Sequence, residues 1–253
     1  MDNYYNYEQG DVFIREGQVV AGAAIGIIIL GGGWAPPLPG DMQNATTFDF
    51  PVYYKVADVS VKSVVSTKRD PIASEQIIKA AKELEKQGCR AIVGACGYFA
   101  NYLADVAAAV NVPAFLSSLM QIPIICRALK PNQKVGIICA DSNALSLATL
   151  KVCGVIDPST IVIAGAQDLS QIQNIMQCKG HINKTKAEQE LVDFSRKLVI
   201  ANPDIGAILL ESSNMPPYAW AIQQEIRLPV FDFTTMINWV YNAVVRRQFV
   251  GIM

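Results

Sequence analysis

Two stretches of this chain, residues 90–115 and 206–231, lie over one another without gaps: "RAIVGACGYFANYLADVAAAVNVPAF" above "GAILLESSNMPPYAWAIQQEIRLPVF". Ala91 meets Ala207, Ile92 meets Ile208, Tyr102 meets Tyr218, Val106 meets Ile222, Pro113 meets Pro229 and Phe115 meets Phe231. Each copy reads as a buried apolar strand, a helix and a second short strand. A further pair, "IGIIILGGG" from Ile25 and "VGIICADSN" from Val135, repeats the theme of a strand running into a small polar or glycine loop. A unit duplicated in this way restricts the chain to two similar lobes.

The segments between the repeats keep the same alternation. "SEQIIKAAKELEKQG" carries apolar residues at helical spacing and closes on Gly88, which suits a C-terminal cap. "KVGIICA" and "TIVIAGA" read as strands flanking a helix over 143–153. Residues 184–200 form an amphipathic helix with Leu191, Phe194 and Leu198 on one side, and a last helix runs near 234–247. Strands alternating with helices predict an α/β fold, two pseudo-symmetric Rossmann-like lobes with parallel sheets. The expected division is 1–117 plus 229–253 for the first lobe and 118–228 for the second. Ligands sit at the carboxyl ends of such strands, so facing lobes enclose a cleft there.

Composition narrows the partners. The chain has 253 residues with 21 basic against 22 acidic side chains, and no basic stripe interleaved with aromatics, which argues against nucleic acid. A small molecule is the expected partner. Residues 17–40 carry no charge, enough to raise the question of a membrane span. Gly22, Gly26, the Gly31–Gly33 triplet and Pro36-Pro37 argue instead for a buried strand over about 22–30 and a loop. Asp2, Glu8, Asp11 and Glu16 against Arg15 do not make the basic start of a secretory signal. The expectation is a soluble, cytoplasmic chain with no membrane partner. Six cysteines occur without a CxxC pair, and His181 is the sole histidine, so a metal site or a Cys–His nucleophile is hard to build. "GGGWAPP" is followed by prolines rather than a helix start and is no dinucleotide fingerprint.

In the overlay Cys96 lies opposite Ser212, each after a strand and before a helix. A thiol at a helix start is expected to be acidified by the helix dipole and unpaired N–H groups. Those N–H groups, of Gly97, Tyr98, Ser213 and Asn214, are suited to a carboxylate. Two proton carriers on opposite faces of one carbon acid invert it without a cofactor, provided donors stabilise the carbanion.

The segments "LPGDMQNATTFDFPV", "GACGYF", "LLESSNMPPYAWA" and "LPVFDFTTMINWVYNA" resemble the cofactor-independent aspartate/glutamate/hydantoin racemase superfamily, and the resemblance covers most of the chain. It implies two lobes with the active site between them, no cofactor, a homodimer, and a cysteine after each of two strands. Cys96 matches the first; Ser212 departs from the second. The implied function is two-base inversion at the α-carbon of aspartate or glutamate, weakened here because a serine hydroxyl forms no thiolate-like base. Three readings of Ser212 stay open: an engineered replacement of cysteine, a one-thiol enzyme of the arylmalonate decarboxylase type, or a carboxylate-binding protein without catalysis.

The same resemblance makes Asn44, Thr46 and Thr47 candidate carboxylate or amide contacts, although they equally suit a turn. Ser142 is expected to cap a helix or touch substrate, and Ser118, with Ser117, to face the cleft or serve as a hinge. Tyr98 is expected as a lid or a contact. Cys139 is expected in packing or at the cleft, and Cys89, Cys126, Cys153 and Cys178 in packing.

Overall fold

The structure, a computed structural model, describes residues 14 and 16–253. The acidic stretch from Asp2 to Asp11 and its companion Arg15, read above against a secretory signal, lie outside the described residues. The alternation of the sequence appears as two four-stranded sheets. The first holds β1 (Ile25–Leu30), β2 (Val52–Ala57), β3 (Ala91–Gly94) and β4 (Ala114–Phe115) in the order β2-β1-β3-β4. The second holds β5 (Lys134–Cys139), β6 (Ile161–Gly165), β7 (Ile205–Leu210) and β8 (Val230–Phe231) in the order β6-β5-β7-β8. Every pairing is parallel. The two orders are the same, which is what the repeat requires. Strands β3 and β7 are buried at every position, as parallel strands covered on both faces must be.

Helices α1 (Val61–Val64), α2 (Pro71–Lys86), α3 (Leu103–Ala109), α4 (Ile122–Ala128), α5 (Leu147–Val152), α6 (Ser170–Met176), α7 (Lys184–Ala201), α8 (Ala219–Ile226) and α9 (Phe233–Val244) complete the chain. Asp70 caps α2 by accepting from the Ile72 N–H at 2.9 Å, and Gly88 beyond its end takes a φ of 91° that an L side chain resists. The repeat is visible in single residues. Tyr102 and Tyr218 are both buried, stand just before α3 and α8, and share backbone angles of −110°, 2° and −107°, −5°.

Some expectations move. A tight 3-10 turn, Gly97–Tyr102, follows Cys96, and the α-helix starts only at Leu103. The helix expected from Asn143 starts at Leu147, because Ser146 is its cap, accepting from the Thr149 N–H at 3.0 Å. Asp141 instead turns the chain by accepting from the Asn143 N–H at 2.9 Å. Strand β8 pairs with β7, Ile208 against Val230, so residues 230–231 sit in the second sheet. Beyond Asp232 the chain returns to the first sheet, where Phe233, Met236, Ile237 and Val240 of α9 pack on Ile25, Ala91 and Val93. The uncharged segment 17–40 supplies β1 and a loop, and no helix among the described residues is long and apolar enough to cross a membrane.

Candidate active site

The carboxyl ends of β1, β3, β5 and β7 converge on one cleft between the sheets. Its floor carries Cys96, Gly97 and Tyr98 from the first lobe and Glu211, Ser212, Ser213 and Asn214 from the second. The repeat thus brings together the residues it aligned. Trp34, Gln43 and Val65 on one side and Ile175 and Met176 on the other form the walls. The interior leaves about 60 Å³ for the centres of water-sized groups. A single water needs roughly 10–15 Å³ on that measure, so the cleft takes a molecule of several heavy atoms.

Cys96 is 8% exposed, in an extended conformation at the end of its strand. The acidified thiol expected from a helix start is not what the surroundings produce. Burial pushes the thiol up to about 12, and the neighbouring Glu211 pushes the same way. The N–H groups of Tyr98 and Phe99 pull it down but are outweighed. The element behind them is a short 3-10 turn rather than a long helix, so little dipole stands behind the thiol. At rest Cys96 is a protonated thiol.

Ser212 is partly exposed, and its hydroxyl oxygen lies 3.5 Å from the Asn214 N–H. Asn214 is fixed from the other lobe: its amide donates to Asp41 Oδ2 at 2.5 Å, while Asp41 Oδ1 accepts from the Gln43 N–H at 3.0 Å. Burial raises the Asp41 carboxyl to about 6 against these hydrogen bonds. Tyr98 is neither a free lid nor a loose contact. Its hydroxyl donates to the Asp141 carbonyl and accepts from the Asp141 N–H, which fastens one lobe to the other.

Several expected contacts lie away from the cleft lining. Asn44 and Thr47 serve their own loop: Asn44 donates to the Pro37 carbonyl at 2.9 Å, and Thr47 donates to the Asp41 carbonyl at 2.6 Å. Thr46 donates to Asn44 Oδ1 at 2.6 Å, completing the turn. Ser118 is fully buried and donates to the Leu210 carbonyl at 3.0 Å, stitching the lobes behind the floor. Ser142 is held by Gln167, whose amide donates to the Ser142 hydroxyl at 3.3 Å. Cys139 is buried in packing, its thiol 3.6 Å from the Ala164 carbonyl. Cys178 departs from the packing role. It is partly exposed, has a φ of 53°, and its thiol lies 3.4 Å from the Gly32 carbonyl of the other lobe's glycine loop.

Glu211 is the side chain that sequence reading passed over. It directly follows strand β7, is fully buried, and has Oε2 accepting from the Ala140 N–H at 3.2 Å while Oε1 has no partner. Burial raises its carboxyl to about 7, and Asp141 adds to the rise. A Cβ at position 97 would overlap Oε1, so the backbone passes the carboxyl at a distance that only glycine allows. Among the described residues, no group of three or more His, Cys, Asp or Glu is placed to hold a metal ion.

No protein-family model matches the chain. It is similar to a dimethylsulfoniopropionate lyase of Durusdinium sp. clade D, 28% identical over 222 residues, covering 85% of this chain and 73% of that protein. It is also similar to dimethylsulfoniopropionate lyase 7 of Emiliania huxleyi, 29% identical, covering 86% of this chain. The chain spans 66% of that relative's length and 59% of lyase 3 from the same organism. Among solved structures, allantoin racemase from Klebsiella pneumoniae superposes with a TM-score of 0.60 at 14% identity, covering 90% of this chain and 96% of that one. Unliganded arylmalonate decarboxylase gives 0.53 at 16% identity, covering 88% and 92%. A glutamate racemase from Bacillus anthracis gives 0.54 at 13% identity, covering 87% and 82%. The chain therefore has the two-lobed α/β fold that these racemases and the decarboxylase share.

Proposed function

We propose that the chain is a lyase that removes the α-proton of a small carboxylate and expels a β-substituent; what supports the class is its similarity to proteins named dimethylsulfoniopropionate lyases. The carrying observation is the inequality of the two lobes: a thiol at Cys96 and a hydroxyl at Ser212 line the same cleft. Racemisation needs a proton carrier on each face of the carbon, whereas β-elimination needs one base. Cys96, reacting as its thiolate, takes the α-proton and becomes the thiol. The C–H electron pair becomes the second bond between the α- and β-carbons, and the C–S pair leaves with sulfur. A sulfonium becomes a neutral sulfide, and the other product is an unsaturated carboxylate. In this reading, backbone N–H groups at the two strand ends hold the carboxylate and steady charge that develops beside it.

The reading as an aspartate or glutamate racemase finds support in the fold, and the reading as a one-thiol lyase in both the fold and the sequence relatives. One experiment separates them. The chain is incubated in D₂O with dimethylsulfoniopropionate and, separately, with each enantiomer of aspartate and glutamate. Dimethyl sulfide and acrylate are followed by gas chromatography and NMR. Sulfide release that disappears in Cys96→Ala supports the lyase. Racemisation of an amino acid without sulfide release sinks it.

A further inference from the structure

Among the ionisable side chains lining the cleft, Cys96 has a task in the reaction and Tyr98 a task between the lobes; Glu211 has neither. It is fully buried, and its Oε1 has no hydrogen-bond partner. The groups that feel its charge are Cys96, Tyr98, Cys139, Cys153 and Asp141: thiols, a phenol and another carboxyl. None of them carries positive charge, and among the described residues no Lys, Arg or His lines the cleft. A buried carboxylate without a counter-charge is costly, so the group either keeps its proton or meets a cation from outside.

We infer that Glu211 is the counter-ion for a cationic group on the substrate, so that the cleft selects small carboxylates bearing a sulfonium or quaternary ammonium centre over their neutral isosteres. The inference rests on the cleft being the substrate site. An arriving cation favours the ionised form of Glu211 and offsets the rise that this charge imposes on the Cys96 thiol. The substrate thereby brings the positive charge that the protein does not provide. When the carbon–sulfur bond breaks, the departing sulfide is neutral, and its attraction to Glu211 ends with the bond. Because the pairing is stronger before the bond breaks than after, it belongs to binding: Glu211→Gln raises KM far more than it lowers kcat.

Isothermal titration of the unmodified chain tests this without turnover. One ligand is β-alanine betaine, a carboxylate with a quaternary ammonium at the β-carbon. The other is its carbon isostere, with a quaternary carbon in place of nitrogen. Near neutral pH the betaine binds at least about tenfold tighter, and its binding releases protons, read from the dependence of heat on the buffer. In Glu211→Gln the two ligands bind alike. In the unmodified chain the preference fades as pH falls below about 6 and Glu211 takes up its proton, which gives a second reading if the variant folds poorly. Equal binding to the unmodified chain, absence of betaine binding, or a preference kept at low pH or in Glu211→Gln overturns the inference. A Glu211-dependent preference without any elimination leaves it standing while the lyase reading falls. Elimination with the preference intact in Glu211→Gln does the reverse.

Discussion

The hydroxyl of Tyr98 reaches from the first lobe to the second and closes both hydrogen-bonding groups of Asp141, donating to its carbonyl at 2.7 Å and accepting from its N–H at 2.9 Å. One oxygen thus completes the backbone of a loop 43 residues away. Tyr98→Phe leaves that N–H unpaired beside the cleft and the carbonyl with only the Ala144 N–H at 3.3 Å. The expected cost is about 1–3 kcal/mol of stability, measured by denaturant unfolding with the slope unchanged. Elimination should fall as well, because the variant no longer holds the two floors in register. A stability within a few tenths of the unmodified chain would show that water replaces the phenol.

Gly97→Ala places a methyl against the Glu211 carboxyl and its backbone carbonyl. Backbone cannot yield as a flexible side chain does, so the expected loss is about 1–3 kcal/mol of stability, with Cys96 displaced next to it. Thermal unfolding and the rate of Cys96 alkylation measure the two effects.

Glu211→Gln has a pH signature. The Glu211 carboxyl is raised from 4.5 to about 7 in the folded chain. The folded state therefore holds a proton that the unfolded state gives up between those values. Stability from this group is fully present below 4.5 and is lost as pH rises through about 7. Glutamine carries no charge to bury, so the variant gains over the parent above about pH 8, by an amount on the order of 1–3 kcal/mol. The two converge near pH 4. A calorimetric Tm difference that does not grow with pH would contradict this.

Asp41→Ala removes the partner of the Asn214 amide and of the Gln43 N–H, both at the cleft. KM for the carboxylate should rise roughly tenfold with kcat changed less, since the loss is of positioning. Steady-state kinetics on the Asp41→Asn variant separates the two contacts, because the amide keeps one acceptor oxygen and turns the other position into a donor.

Ser212→Cys restores a thiol on the second lobe. Under the one-base reading, elimination stays within about tenfold of the parent, far from the roughly 10²–10⁴ that a required base contributes. Appearance of amino-acid racemisation in this variant would mean that the scaffold still holds a two-base site.

Much of the architecture was legible because buried parallel strands and their helices announce themselves by period, and because the repeat sets one lobe in register with the other. Cys96 and Ser212 were found through that register rather than by any local motif. The sequence did not single out Gln43, which lines the cleft, from Asn44 and Thr47 in the same loop, because a loop has no period from which to read which side chains turn inward. Glu211 was missed for a different reason. In "GAILLE" it reads as the polar end of a strand, and carboxylates are rarely buried without a partner. The signal was its place directly before the position that aligns with Cys96. Its cost becomes visible only with the Oε1 environment in view.

The identical strand orders of the two sheets make the scaffold nearly symmetric, while Cys96 and Ser212 make it chemically one-handed. A substrate methylene held between them has two hydrogens that differ only in which lobe they face. A thiol on one side alone addresses one of the pair, so in deuterated water recovered substrate carries a single label of defined configuration. Under the one-base reading, the prochirality of the reaction follows from sulfur against oxygen at these two aligned positions.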